Sequence, residues 1–211
     1  MKRRSIAARG GRTIVALALL LRASSAQAQV PKTPESPYVA PSDQALLVFS
    51  RVRRKQASKV TFRIVDQAGR CLAVLESGWQ TTAPIWPGTH MLLVITGTAP
   101  PTIQLLRAKV GPGKTYVVRL RERVNVKSPA EITVLRRKDQ PLEAFPAAVR
   151  DVFPAMPDLR SCTEWVSWKK SKIQSKAMQA KRQWDDGTEE HRQTHTVHRN
   201  DGWTATEVKT P

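Results

Sequence analysis

Two short patterns in this chain carry residue types able to do chemistry, and each demands a particular local frame. Residues 108–115 (AKVGPGKT) end in Gly113-Lys114-Thr115, the order in which a glycine-rich loop and its lysine cradle phosphate. Such a loop needs a helix directly after it, so that free amides and the helix dipole meet the anion. The stretch from Thr115 to Arg121 is instead TYVVRLR, a β-branched alternating run of strand type, so Gly111-Pro112-Gly113 reads as a hairpin turn and nucleotide binding is not expected. His191, His195 and His198 stand at i, i+4 and i+7, a spacing that stacks three imidazoles on one helical face within reach of a metal. Thr194, Thr196 and Val197 weaken the helix that would align them, so three surface histidines are the expectation. No nucleophile elbow and no paired carboxylates stand in a catalytic setting, and neither an enzyme activity nor a metal or cofactor site is expected.

The basic residues form a more organised pattern. Arg119, Arg121 and Arg123 alternate along one expected strand and are assigned together to its solvent face, where Arg63 or Arg136 from neighbouring strands would extend a cationic surface. Arg51, Arg53, Arg54 and Lys55 lead into a turn. Lys169, Lys170, Lys172, Lys176 and Lys181 accompany Trp165, Trp168 and Trp184 along an expected helix, a composition suited to an acidic partner or a membrane surface, or to a helix anchored on its own sheet by tryptophan. Charged side chains on exposed strands also discourage edge-to-edge aggregation, which competes with a binding role for the arginines.

Only Cys71 and Cys162 are present. An even count permits one disulfide in an oxidising compartment; two isolated cysteines are also what two small buried hydrophobes look like, and sequence spacing leaves both readings open.

The compartment is read from the first thirty residues. Lys2, Arg3, Arg4, Arg9 and Arg12 precede the apolar run 13–21, and Ala26-Gln27-Ala28 supplies a small-x-small cleavage pattern, so residues 1–28 are assigned to an export signal. The run is about half the length a bilayer crossing needs, and no transmembrane span is expected in the mature chain. Residues 1–28 hold six of the 35 Lys and Arg and none of the 17 Asp and Glu, so their removal lowers the formal charge from +18 to +12. A chain this basic outside the cytoplasm meets anionic lipid, acidic polysaccharide or another envelope protein before it meets nucleic acid.

Punctuation and periodicity define the elements that would position these residues. Residues 29–42 carry four prolines and read as an extended linker. From 43 to 138, short β-branched runs (45–52, 59–65, 70–75, 82–86, 90–96, 102–109, 115–121 and 131–137) alternate with turn residues, the pattern of an antiparallel β-sandwich able to fold alone. Val60, Phe62 and Ile64 are assigned inward, as are Tyr116, Val118 and Leu120. Residues 139–160 form a proline-punctuated connector with a short helix around 147–152. Residues 161–211 read as a basic helical extension: a capping box at Ser161-Cys162-Thr163-Glu164, a helix to about Trp184 with an apolar stripe of Cys162, Val166, Ile173, Ala177, Ala180 and Trp184, a left-handed cap at Gly187, and a second helix from Thr188.

Ala45-Leu46-Leu47-Val48-Phe49 with Arg51, then Gly78-Trp79, Pro87-Gly88-Thr89-His90-Met91-Leu92 and Gly113-Lys114-Thr115-Tyr116-Val117-Val118 resemble, in order and spacing, a bacterial family of small exported and lipoprotein-associated β-sandwich domains of unknown function. The likeness covers about residues 43–138. It implies a prealbumin-like sandwich, export, and no established catalytic centre; the lipobox cysteine common in such proteins is missing. The expected function is a non-enzymatic binding or scaffolding role in the envelope, the alternatives being a peripheral binder of anionic lipid or polysaccharide, and a hydrolase or metal enzyme whose site is assembled from distant residues.

Overall fold

A computed structural model describes residues 36–51, 60–97, 101–122, 130–141, 145, 149 and 153–209. The assigned signal at 1–28, most of the linker, Arg53, Arg54, Lys55 and Arg123 lie outside the described residues, as does most of the helix expected around 147–152.

The alternating runs fold as β1 (Ala45–Ser50), β2 (Phe62–Val65), β3 (Cys71–Leu75), β4 (Trp79–Ile85), β5 (Gly88–Thr96), β6 (Thr102–Val110), β7 (Lys114–Arg121) and β8 (Glu131–Leu135), with the two-residue strands β9 (Phe153–Pro154), β10 (Thr196–Val197) and β11 (Trp203–Thr204). They form two sheets in a mainly β, sandwich-like arrangement. The first has the order β11-β7-β1-β4-β9, with β8 also on β7; the second has the order β10-β6-β5-β2-β3. Purely antiparallel pairing is not what forms: β1 runs parallel to β7, β4 to β9 and β10 to β6. β6 and β7 belong to different sheets, so the Gly111–Gly113 turn carries the chain across the sandwich and closes no hairpin.

The alternation sorts faces as expected. Leu47, Phe49, Phe62, Ile64, Tyr116, Val118 and Leu120 meet between the sheets with residues of every other long strand. The opposite faces are buried too, which half-buried antiparallel strands would not require. Over the second sheet lie α1 (Leu159–Trp168) and α2 (Lys170–Asp186), whose Cys162, Val166, Ile173, Ala180 and Trp184 pack on Val65, Ile95, Ile103 and Leu105. Over the first sheet, Phe145, Trp203 and Val208 cover Val48 and Val117, joined by Tyr38 and Val39. Within the assigned linker, Tyr38 is thus packed: its ring meets Phe145 edge-on at 5.9 Å, and Thr115 donates to its carbonyl at 2.6 Å.

The helix boundaries move for identifiable reasons. Asp158, not Ser161, caps α1, its carboxylate accepting from the Ser161 amide at 2.9 Å and the Ser161 hydroxyl at 2.6 Å. The expected single helix breaks at Lys169, where α1 gives way to α2. Gly187 has φ −70°, so it does not take the left-handed cap; a side chain there would meet the Gln183 carbonyl at 2.9 Å and the His191 ring at 3.2 Å. Arg192 instead satisfies the end of α2, donating to the carbonyls of Trp184, Asp185 and Gly187. Thr188 caps α3 (Glu189–Thr194) by accepting from the His191 amide, and α4 (Ala205–Lys209) ends the described chain.

Candidate functional site

Arg119 and Arg121 share the outer face of the first sheet, Arg123 lies outside the described residues, and Arg63 and Arg136 do not extend that face. Arg119 lies half-buried on the outer face of the first sheet, paired in register with Ser50 on β1 and Thr133 on β8; its Nε is buried with no hydrogen-bond partner. Arg121, two residues on, is exposed. Arg63 belongs to the other sheet and stacks under Trp165, 4.2 Å from the ring centroid, where burial pulls its guanidinium below the ordinary arginine value. Arg136 is committed to Asp201, with Nη1 to Oδ2 at 3.0 Å and Nη2 to the Gln193 carbonyl at 2.6 Å.

Arg51, read with Arg53, Arg54 and Lys55 as leading into a turn, is fully buried. It leaves the end of β1 beside the end of parallel β7, and its Nε donates to Glu122 at 3.0 Å while its guanidinium stacks on Phe62 at 5.1 Å and bonds the Val60 carbonyl. The arginine that follows the Ala45–Ser50 strand therefore locks strand ends together.

The lysines are divided by helical geometry. With successive residues about 100° apart, Lys170 and Lys181 project from one flank of α2 and Lys172 and Lys176 from the other, either side of the Ile173–Ala180–Trp184 stripe. Ser171, Ser175 and Arg182 occupy the outermost line. Lys181 pairs with Asp185, and Lys176 donates to Gln179 at 3.2 Å. Lys169 sits 3.6 Å from the ring centroid of Trp168, which is 75% exposed. Trp165 and Trp184, by contrast, are packing anchors, the latter also holding Arg107 at 5.4 Å.

Cys71 and Cys162 are bonded as a disulfide with Cα atoms 6.0 Å apart, joining the start of β3 to α1. The Cys71 amide donates to Thr163 Oγ1 at 3.2 Å beside it.

The three histidines do not converge on a metal position. His195 Nδ1 lies 3.0 Å from the His191 carbonyl and its ring 4.5 Å from that of His191, while the His198 amide donates to Asp201 in the turn after β10. Among the described residues no group of three or more His, Cys, Asp or Glu could hold a metal. Burial lowers the His195 imidazole pKa, against a raising contribution from the His191 carbonyl.

His191 and His195 do line a groove of about 420 Å³ between β6 and the helical layer, together with Thr102 to Leu105 on one wall and Ala180, Gln183, Trp184 and Thr188 on the other. A second cavity of about 220 Å³ shares Thr102, Ile103, Ala180 and Gln183 and extends the groove past Lys176. Neither lining contains a carboxylate. Sequence reasoning misses this groove because its walls are built by strand and helix residues some 80 positions apart; the apolar and polar alternation of Thr102–Leu105 names the strand and nothing about its neighbour. It misses Asp201 as well, which stands in Asn200-Asp201-Gly202, a sequence of turn-forming residues. Asp201 and Gly202 in fact fix the tail: Asp201 is buried against Arg136, and a side chain at Gly202 would strike the Tyr116 ring at 2.7 Å. No family model matches the chain, and no curated protein matches it.

Proposed function

We propose that the protein is an exported, non-enzymatic binding or scaffolding module of the bacterial envelope, built on a prealbumin-like sandwich of the kind that its opening, PGTHML and GKTYVV motifs resemble. The observation that carries the reading is the groove beside β6, an open concavity between that strand and the helical layer, where Ala180 and Trp184 pack with Ile103 and Leu105. Apolar walls with a few polar groups and a preformed shape are what a recognition site needs. Export rests on the order of basic, apolar and small residues in 1–28, and it agrees with the oxidised state of Cys71 and Cys162.

The experiment places a photoreactive amino acid at Gln183, in the groove, and separately at Arg70, on the far turn, in the full chain produced in its host. A discrete adduct from Gln183 alone, in envelope fractions and on chain beginning at Gln29, is the expected result. Adducts of equal yield from both positions, or intact Met1 on cytosolic protein, would overturn it.

A second reading, peripheral binding of anionic lipid or polysaccharide, is favoured by one feature: the exposed Trp168 indole with Lys169 against it, next to Lys170 and Lys172. Binding of acidic over neutral vesicles that falls with salt and with Trp168→Ala or Lys169→Glu supports it; equal binding to both vesicle types removes it.

A further inference from the structure

The groove beside β6 exposes more than side chains. The Arg107 amide points away from β5, because it donates to the His195 carbonyl at 3.0 Å, where β10 pairs with β6 at Arg107 and Ala108. Strand backbones repeat every two residues, so the N–H and C=O groups of Leu105 and Ile103 point to the same side. The partner β5 takes the alternate set, and β10 reaches no further than Arg107. Among the described residues nothing bonds these two pairs of backbone groups, and the cavity lies directly against four consecutive residues, Thr102 to Leu105. A cavity that touches consecutive strand residues runs along an edge. Unpaired edges are normally covered, charged or interrupted by proline, whereas this one opens into a walled channel.

We propose that Thr102–Leu106 receives an extended segment of a partner protein as an added strand in line with β10. This rests on the binding-module reading and names its partner class. Five residues of β6 offer an edge of about 17 Å, enough for a segment of similar length. The segment would bond Ile103 and Leu105 through its main chain and lay apolar side chains against Ala180 and Trp184, the division of labour seen wherever a peptide extends a sheet. At the Thr102 end the groove passes Lys176 with no carboxylate in its lining, so that end fits an acidic residue.

The test titrates the full chain with a synthetic hexapeptide alternating valine and glutamate, a counterpart with lysine for glutamate, and a copy of the first methylated at alternate backbone nitrogens, with backbone amide resonances as the readout. Perturbation centred on Ile103 and Leu105, binding weakened roughly tenfold by losing main-chain donors, weaker binding of the lysine peptide, and loss on Gln183→Trp, which fills the groove from an exposed position, are expected. Equal binding of the methylated copy, or perturbation confined to Trp168 and Lys169, would overturn strand addition. No binding of any peptide would overturn it too; if the Gln183 cross-link still forms, the binding module stands with a different ligand, and if that also fails both readings fall.

Discussion

At the scale of single residues, the contrast between Arg51 and Lys181 separates structural from surface charge. Arg51 and Glu122 are bonded at 3.0 Å with almost no solvent contact, whereas Lys181 and Asp185 are each more than half exposed. Removing Glu122 takes a charge-assisted hydrogen bond from a buried guanidinium, so Glu122→Ala is expected to cost about 3 kcal/mol. Lys181→Ala is expected to cost about 0.5 kcal/mol or less. Denaturant midpoints of the two variants check the difference, and similar small losses would place Arg51 in contact with water. His195 supplies a pH prediction. Its folded pKa lies below the ordinary histidine value because burial disfavours the imidazolium. The unfolded chain therefore holds more protons near neutrality, so stability is complete above about pH 6.5 and declines as pH falls through the depressed value. His195→Gln should flatten the change in midpoint between pH 8 and pH 5; an unchanged slope would assign it to other groups. None of this was legible in sequence for Arg51, which sits in a run of four basic residues of ordinary surface composition. Burial is imposed by the parallel neighbour β7, and composition carries no trace of that pairing.

At the scale of elements, the longer strands were readable because most run over five or more apolar or alternating residues and most are bounded by proline or glycine. Their pairing was not, since a turn such as Gly111–Gly113 looks the same whether it closes a hairpin or crosses between sheets. The helices were readable by periodicity, yet the cap fell to Asp158 because its carboxylate reaches both the amide and hydroxyl of Ser161, which frees Ser161 from the role its capping-box pattern suggests. The short strands β9, β10 and β11 could not be read at all, as two residues carry no period. The disulfide ties α1 to β3 across 91 residues. Closing a loop of that size restricts the unfolded chain, so replacing both cysteines with serine is expected to remove about 4 kcal/mol, measured by chemical denaturation. Loss below about 1 kcal/mol would mean that α1 is held by Val166 and its neighbours alone.

At the scale of the whole molecule, the last third of the chain is part of the sandwich. β10 and β11 each join one sheet, and α1, α2 and the tail around Trp203 bury the two outer faces. A fragment of residues 43–138 would leave Ile95, Ile103, Leu105, Val48 and Val117 bare, and it is expected to lack a cooperative melt that the full chain shows. A sharp transition in the fragment would show that residues 43–138 fold as an independent domain. The edge of β6 beyond Arg107 is one place where this closure stops, and the proposed strand addition depends on that edge being open. Native-state amide hydrogen exchange on the free chain tests it most directly. Gln104 and Leu106, which face β5, should exchange only on unfolding, while Ile103 and Leu105 exchange at least about a hundredfold faster, in keeping with the wide spread between local and global opening. Uniform protection across residues 102–106 would contradict an open edge.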